Sequence, residues 1–502
     1  MANLKQFAGQ TAIYGLSTIL SRLLNFILTP IYVRLYSVKV YGIFTYMYSW
    51  ASMLNAILAF GMETTFFRYL NKYEDRKSQV YGNTFIMVAG VSLCFVLATI
   101  CWIDDIASWI QGGTTAHADA IRYVKYFVCI LAVDALAVIP FAKIRADKRP
   151  IRYGIIKFVN ILTFIGFNFL FIFLIPYLIK SDTPYASFLS TWYRPQWVGY
   201  VFVSNLIASV VTLALLLPEL LQLKPSYDSK LTREMLLYSF PVLIANISFI
   251  INENIDKIFL GMLLPSSVSQ QQIGIYGACC KLAIFLNIFV QAFRLGAEPF
   301  FFSYAKADNA KQTYARIMNY FVIAVSLIFI ALTVNIEIIK YFIKGSPTQQ
   351  ALFWSGLQVV PILLFGYVSL GIYMNLSIWY KLSDQTRFGL YISMVGAVLT
   401  IVLNIIFIPQ YSYVASAWIS LIAYTTMMAL SYIIGNRKYP IPYNLSKIAS
   451  YLIAAIIIAY LSFVVFKRDI IIGNGMLLIF TIVSFYIERK EIKRIASRIE
   501  QT

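Results

Sequence analysis

Fourteen runs of mostly apolar residues follow one another along this chain, most of them close to the roughly 20 residues that a helix needs to cross a bilayer. They lie at 8–36, 40–62, 80–103, 121–142, 153–176, 197–217, 235–264, 273–300, 314–336, 355–379, 388–408, 413–434, 446–466 and 470–487, with only short connections between them. Hydrocarbon offers no partner to a backbone N–H or C=O, so each run is expected to be a helix that bonds itself. Composition agrees, with 60% hydrophobic and 13% charged residues and a mean hydropathy of +0.73. The expected fold class is an all-α polytopic membrane protein, and a soluble chain is excluded.

Lys and Arg number 41 against 22 Asp and Glu, a net +19. In a soluble protein that excess would point to nucleic acid. Here the basic residues fall in alternate connections: Arg68, Lys72, Arg76 and Lys77, then Lys143, Arg145, Lys148, Arg149 and Arg152, and the tail with Arg489, Lys490, Lys493, Arg494 and Arg498. Opposite connections are nearly bare or acidic, as at Asp104, Asp105 and Asp119. By the positive-inside rule both termini are expected in the cytoplasm, and the charge reads as topology rather than nucleic-acid binding. The five cysteines sit in apolar stretches without framework spacing, the one histidine, His117, lies in a polar loop, and no G-x-x-x-x-G-K-[ST] loop is present. Disulfide scaffolding, a metal site, triad chemistry and ATP binding therefore have little to work with. The first run carries Arg22 at its centre and reads as a retained helix rather than a cleaved signal.

The chain also repeats itself. Tyr41-Gly42, Gly61-x-Glu63 and Phe66-Phe67-x-Tyr69 recur as Tyr276-Gly277, Gly296-x-Glu298 and Phe301-Phe302-x-Tyr304, all at an offset of 235. The same offset places Arg22 on Lys257. A looser echo joins Lys143-x-x-x-Asp147-x-Arg149 to Lys381-x-x-Asp384-x-x-Arg387. Two six-helix lobes are expected, 1–222 and 233–435, followed by a two-helix extension at 443–488 and a basic tail at 489–502. An even helix offset keeps equivalent helices parallel, so the repeats are related by an axis normal to the membrane and enclose a central cavity.

A charge at mid-membrane costs about 2.5–3.5 kcal/mol on insertion scales and needs a partner, water or a function. Arg22 lies about 14 residues from either end of its helix, roughly 20 Å, too deep to snorkel. Arg22 and Lys257 would face one cavity, where two cations suit a diphosphate or other polyanion. Each has a structural alternative: a helix-locking salt bridge for Arg22, and for Lys257 local neutralisation by Glu253 four residues earlier. Lys281 and Arg294 add charge to the eighth run, Arg294 having Glu298 four residues on. Asp134 sits mid-span with no base at helical spacing. It is either a proton-coupling carboxylate or the counter-ion of Arg22. Glu253 and Asp256, with Asn252 and Asn254, form a polar break that reads as a cation site or a kink; Glu63 and Glu298 complete the candidate coupling or counter-ion residues.

Gly15-Leu-Ser-Thr-Ile-Leu-Ser-Arg22 through Pro30, Tyr41-Gly42-Ile-Phe, Phe60-Gly61-Met-Glu63-Thr-Thr-Phe-Phe-Arg68-Tyr, Asp256-Lys257-Ile-Phe-Leu-Gly261 and Gly274-Ile-Tyr276-Gly277 resemble the multidrug/oligosaccharidyl-lipid/polysaccharide (MOP) exporter superfamily, in particular its Wzx-type polysaccharide flippases. The resemblance implies a MATE-like pair of lobes around a cationic cavity in the bacterial cytoplasmic membrane. It implies alternating-access transfer of undecaprenyl-diphosphate-linked oligosaccharide from the inner to the outer leaflet, for O-antigen, capsule or exopolysaccharide. Arg22 carries over as a diphosphate contact. A polysaccharide polymerase and a chain-length regulator are the implied protein partners, beside membrane lipids. No cofactor is expected, and a proton or sodium gradient is the candidate energy source. A lipid II flippase is the nearest alternative, and a drug or cation antiporter a more distant one. An enzyme is not expected: the longest outer connection, 177–196, offers only Lys180, Asp182 and Arg194 as charged groups.

Overall fold

Every regular element among the described residues is helical, as the hydrocarbon constraint requires. The structure is a computed structural model and describes residues 26–111, 116–181, 184–223, 227–305 and 307–499. Helices are labelled α1 (Thr29–Leu35), α2 (Val38–Ala59), α3 (Met62–Lys72), α4 (Lys77–Cys101), α5 (Ile103–Gln111), α6 (His117–Ala146), α7 (Pro150–Phe169), α8 (Gly199–Leu215), α9 (Ser229–Leu263), α10 (Ser266–Ser303), α11 (Ala310–Val334), α12 (Val360–Leu376), α13 (Arg387–Lys438), α14 (Leu445–Tyr460) and α15 (Ile470–Ile499).

Eleven helical stretches among the described residues are long and apolar enough to cross a membrane, and the chain is a multi-pass membrane protein. Fourteen is not reached by that measure, for three reasons. The run at 8–36 lies largely outside the described residues. The apolar α8 is shorter than a full span. And α13, with 52 residues, counts once although it is bent: Ser412 has φ 52° and ψ −140°, three residues after Pro409. Ser416 donates to Asn404 Oδ1 at 3.2 Å, whereas twelve residues of straight helix would separate them by about 18 Å. The chain therefore folds back there, where the two runs 388–408 and 413–434 are divided in the sequence.

Two compact units emerge by packing, one through Gly277 together with Ala397–Ser416, the other Ala278–Gly396 with Ala417 onward. In the first unit α6, α7 and α8 pack together and α2 lies along α9. In the second, α11 is the hub against which α12, α14 and α15 pack. Asn335 and Asn474 exchange amide hydrogen bonds of 3.1 and 2.9 Å at one end of that packing. Lys447 and Tyr451 hold Glu488 between α14 and α15, at 2.7 and 3.0 Å. Four buried hydroxyls are satisfied within their own helices: Ser49, Thr84, Ser204 and Thr212 each donate to the carbonyl four residues back.

The second apolar run extends past residue 62, to Lys72, across a break at Phe60 and Gly61, both left-handed with φ 48° and 65°. A Cβ on Gly61 would lie 2.9 Å from the Ser239 carbonyl of α9, so the break and the close approach both call for glycine. Arg68 and Lys72 are thereby helical rather than in a loop. Tyr69 donates to the Glu234 carbonyl at 3.0 Å, Lys72 reaches Glu234 Oε2 at 3.0 Å, and Arg68 lies 4.1 Å over the Tyr238 ring.

Where α2 crosses the start of α10, a Cβ on Gly42 would fall 1.8 Å from the Gln270 carbonyl oxygen. Gly42→Ala must push the two backbones apart, and overpacking of this kind costs about 1–3 kcal/mol. The melting temperature of the purified protein should fall with Gly42→Ala and stay unchanged with Gly166→Ala, whose Cβ meets nothing within 4 Å.

Candidate functional site

Polar side chains gather at three places, two in the first unit and one in the second. On α6, Asp134 is about 18 Å from the C-terminal end of its helix at a rise of 1.5 Å per residue. Ser209 of α8 and Lys157 of α7 face its carboxylate. Lys157 lies 4.3 Å over the Phe141 ring and within the field of Arg145 and Glu63. Arg145 in turn is 2.5 Å from Glu63. Four charges, Glu63, Arg145, Lys157 and Asp134, two bases between two acids, thus lead from the end of α6 into the span. Amides continue the polar interior: Asn160 donates to Thr212 at 2.8 Å, Asn205 to Tyr48 at 3.0 Å, and Tyr32 donates to Asn168 at 2.9 Å.

The second cluster lies on α9, which is continuous from Ser229 to Leu263, so the polar stretch 252–256 is not a kink. Asp256, 5% exposed, holds Lys257 Nζ at 2.9 Å with one carboxylate oxygen and accepts a 2.6 Å bond from Tyr276 with the other. Lys257 also donates to the Glu253 main-chain carbonyl at 3.2 Å. Asp256 is thus a neutralising partner of Lys257, and Glu253, half-buried, contributes its main-chain carbonyl. Thr400 donates to Asn252 at 3.0 Å and Asn254 to Ser52 at 3.3 Å.

In the second unit, Arg294 and Glu298 are one turn apart on α10 and line a small cleft with Asn375 of α12 and Lys381 just beyond it. The one-turn spacing predicts an Arg294–Glu298 pair, but Glu298 is 2.7 Å from Lys381 instead. Arg294 is half-buried and makes no hydrogen bond or ion pair among the described residues. Asn375 is 6% exposed and its side-chain N–H has no partner. Two cations against one carboxylate, with an uncommitted guanidinium and an unused amide donor, make this cleft an anion-accepting environment. Lys281 is half-buried one side of the same helix, away from the cleft lining. Arg22 lies outside the described residues.

The repeat reappears as geometry. Glu63–Arg145 in one unit matches Glu298–Lys381 in the other. Three residues after each cation comes a left-handed residue, Lys148 at φ 55° and Asp384 at φ 54°. The next amide then closes the turn onto a carbonyl five residues back, Arg149 to Ile144 at 3.1 Å and Gln385 to Tyr380 at 2.8 Å. This is the Schellman closure, made twice. It corrects the echo read from Lys143 and Lys381: Lys381 corresponds to Arg145, whereas Lys143 pairs locally with Asp147 at 2.7 Å. Lys157, Asn375 and the pairing of Lys381 escape a search for charges at helical spacing, since each acts across helices.

The family model for polysaccharide biosynthesis proteins matches residues 7–304, more than half of the chain. The chain belongs to the polysaccharide biosynthesis protein family. The MatE model matches residues 241–406, and the fold of this family member is that of the MOP superfamily. It resembles a lipid II flippase, MurJ, in an inward closed conformation, at a TM-score of 0.66 and 15% identity over 95% of this chain and 99% of that one. It also resembles an inward-facing multidrug resistance MATE transporter at a TM-score of 0.61 and 14% identity, over 86% of this chain and 95% of that one. A Vibrio cholerae MATE transporter matches at a TM-score of 0.57 and 15% identity, again over 86% of this chain and 95% of that one. No curated protein sequence matches the chain.

Removing one member of a partly buried pair leaves the other charge uncompensated, whereas removing both does not. Glu298→Gln and Lys381→Met should each lower the melting temperature of this polysaccharide biosynthesis protein more than the double substitution does. The coupling from a double-mutant cycle of thermal or denaturant unfolding should lie at about 0.5–3 kcal/mol.

Proposed function

We propose that this protein is a flippase for lipid-linked oligosaccharide, carrying an undecaprenyl-diphosphate-linked glycan from the inner to the outer leaflet of the bacterial cytoplasmic membrane. The observation that carries the reading is the cleft of Arg294, Lys381 and Asn375, where donors outnumber acceptors, in a chain of the polysaccharide biosynthesis protein family. A diphosphate needs several donors at short range, and a guanidinium with no other partner supplies two of them in a fixed fork. Arg22 is the proposed second contact, by its place in the repeat. Lys257 ranks below these because Asp256 already holds it; Lys281 remains an auxiliary cation for the sugar-phosphate portion.

The lobes 1–222 and 233–435 are the proposed moving bodies of an alternating-access cycle, with both termini cytoplasmic. The proposed coupling group is Asp134: it is the deepest carboxylate in the α6–α7–α8 packing, and a proton exchanged there would alter its attraction to Lys157. Glu63 and Glu298 are engaged as counter-ions in their pairs, and Asp256 as that of Lys257. A polymerase and a chain-length regulator would receive the exported unit. A second reading, a lipid II flippase, is favoured by the likeness to MurJ over 95% of the chain. Restored surface glycan in a strain lacking its own oligosaccharide flippase supports the first reading; restored growth on depletion of the lipid II flippase supports the second.

Arg294→Ala and Arg22→Ala should each reduce surface glycan at least tenfold while leaving the protein in the membrane at wild-type amounts, measured by glycan blot and membrane fractionation. Normal glycan with either would remove that residue from the head-group site. Asp134→Asn should stop transport in proteoliposomes with an imposed proton gradient yet retain glycolipid binding; transport at the wild-type rate would remove Asp134 as the coupling group.

A further inference from the structure

Between α2, α4, α5 and α6, inside the first unit, lies a cavity of about 210 Å³ that none of the transport chemistry above uses. Trp50, Phe95, Trp109, Phe127 and Leu131 form most of its wall, and Thr99 supplies its one hydroxyl. That hydroxyl is already committed, donating to the Phe95 carbonyl at 2.8 Å. Apart from the indole N–H groups the lining is hydrocarbon, and a water molecule needs two to four polar partners. Apolar cavities even of about 150 Å³ stay dry and take up apolar molecules instead. Left empty, the walls would forfeit dispersion contacts on every side.

The position of the cavity says what can reach it. Its roof is α5, whose Asp104 and Asp105 face outward at the start of the helix while Ile106, Trp109 and Ile110 turn to the cavity. A short helix with acidic and apolar faces lies at the membrane surface. The wall formed by α4 shows an apolar outer face, with Leu93 59%, Leu97 55% and Ile100 59% exposed, and Trp109 at the rim is 47% exposed. The cavity thus sits just beneath the interface, its rim continuous with the lipid-facing surface. What surrounds that rim at molar excess is the fatty chains of the bilayer.

We propose that this cavity is a lipid-chain site, occupied by the end of a phospholipid acyl chain that enters between α4 and α5. The bound chain acts as a removable part of the core of this unit, packing against Trp50 and Trp109, which meet edge-on with centroids 5.1 Å apart. The inference does not depend on which glycolipid the protein carries.

The test uses the full-length wild-type protein in liposomes of phosphatidylcholine bearing a diazirine at the acyl terminus, with cross-linked residues mapped by peptide mass spectrometry. Adducts on Trp50, Thr99, Phe127 or Leu131, inside the wall, are expected beside those on the exposed face at Leu93 and Leu97. Ala51→Phe and Val128→Phe, which fill the cavity from two sides, should remove the inner adducts and keep the outer ones. Adducts on Leu93 and Leu97 alone in the wild type would overturn the proposal. So would inner adducts that disappear when unlabelled undecaprenyl phosphate is added at a tenth of the lipid, because the occupant would then be a prenyl chain.

Discussion

The Glu63–Arg145 pair and its counterpart Glu298–Lys381 answer the cost on which this molecule turns, that of keeping ions among apolar helices. Each pair ties a long helix to the end of another in its own unit, and each is followed by a left-handed residue and a Schellman closure that starts the next helix. Glycine supplies none of these left-handed positions; Lys148 and Asp384 adopt them. The turn is held by the pair and its packing rather than by backbone preference, so the charges set the local architecture as well as being accommodated by it.

With those pairs in place, the remaining polar groups fall into two kinds. Asp256, Lys257 and Tyr276 form a closed set, as do Lys447, Tyr451 and Glu488. In each set the carboxylate is taken by a lysine and a tyrosine hydroxyl. Arg294 and Asn375 differ, because their donors are left over after Glu298 has been taken by Lys381. An unsatisfied buried donor costs about 1–3 kcal/mol, a cost that a protein recovers when an anion arrives. The polar set around Asp134 lies between the two kinds, its carboxylate facing Ser209 and one lysine.

Much of this was legible from residues alone. Hydropathy located most of the described spans, since hydrocarbon permits one regular structure, and the division between the runs 388–408 and 413–434 falls where the bend at Ser412 is seen. The glycine and glutamate of the repeat at 61 and 63 identified the acidic half of the conserved geometry in both units. Their basic partners were harder to read. Matching letters aligned Lys381 with Lys143, whereas matching geometry aligns it with Arg145, because a turn conserves backbone shape and charge rather than residue type. Lys157 and Asn375 escaped because periodicity along one helix says nothing about which residue a neighbouring helix presents. The alternative pairing of Arg294 with Glu298 fails for the same reason: the competing cation comes from Lys381, far away in sequence.

The proposed activity is the transfer of a diphosphate-linked glycolipid between leaflets. Purified protein reconstituted into liposomes containing a polyprenyl-diphosphate oligosaccharide in both leaflets tests it directly, with a membrane-impermeant glycosidase added outside. The account predicts that, under a proton gradient, cleavage proceeds beyond the outer-leaflet share towards completion, and that Arg294→Ala protein stops at that share. Cleavage that halts at the outer-leaflet share with the wild-type protein, under either gradient direction, would contradict it.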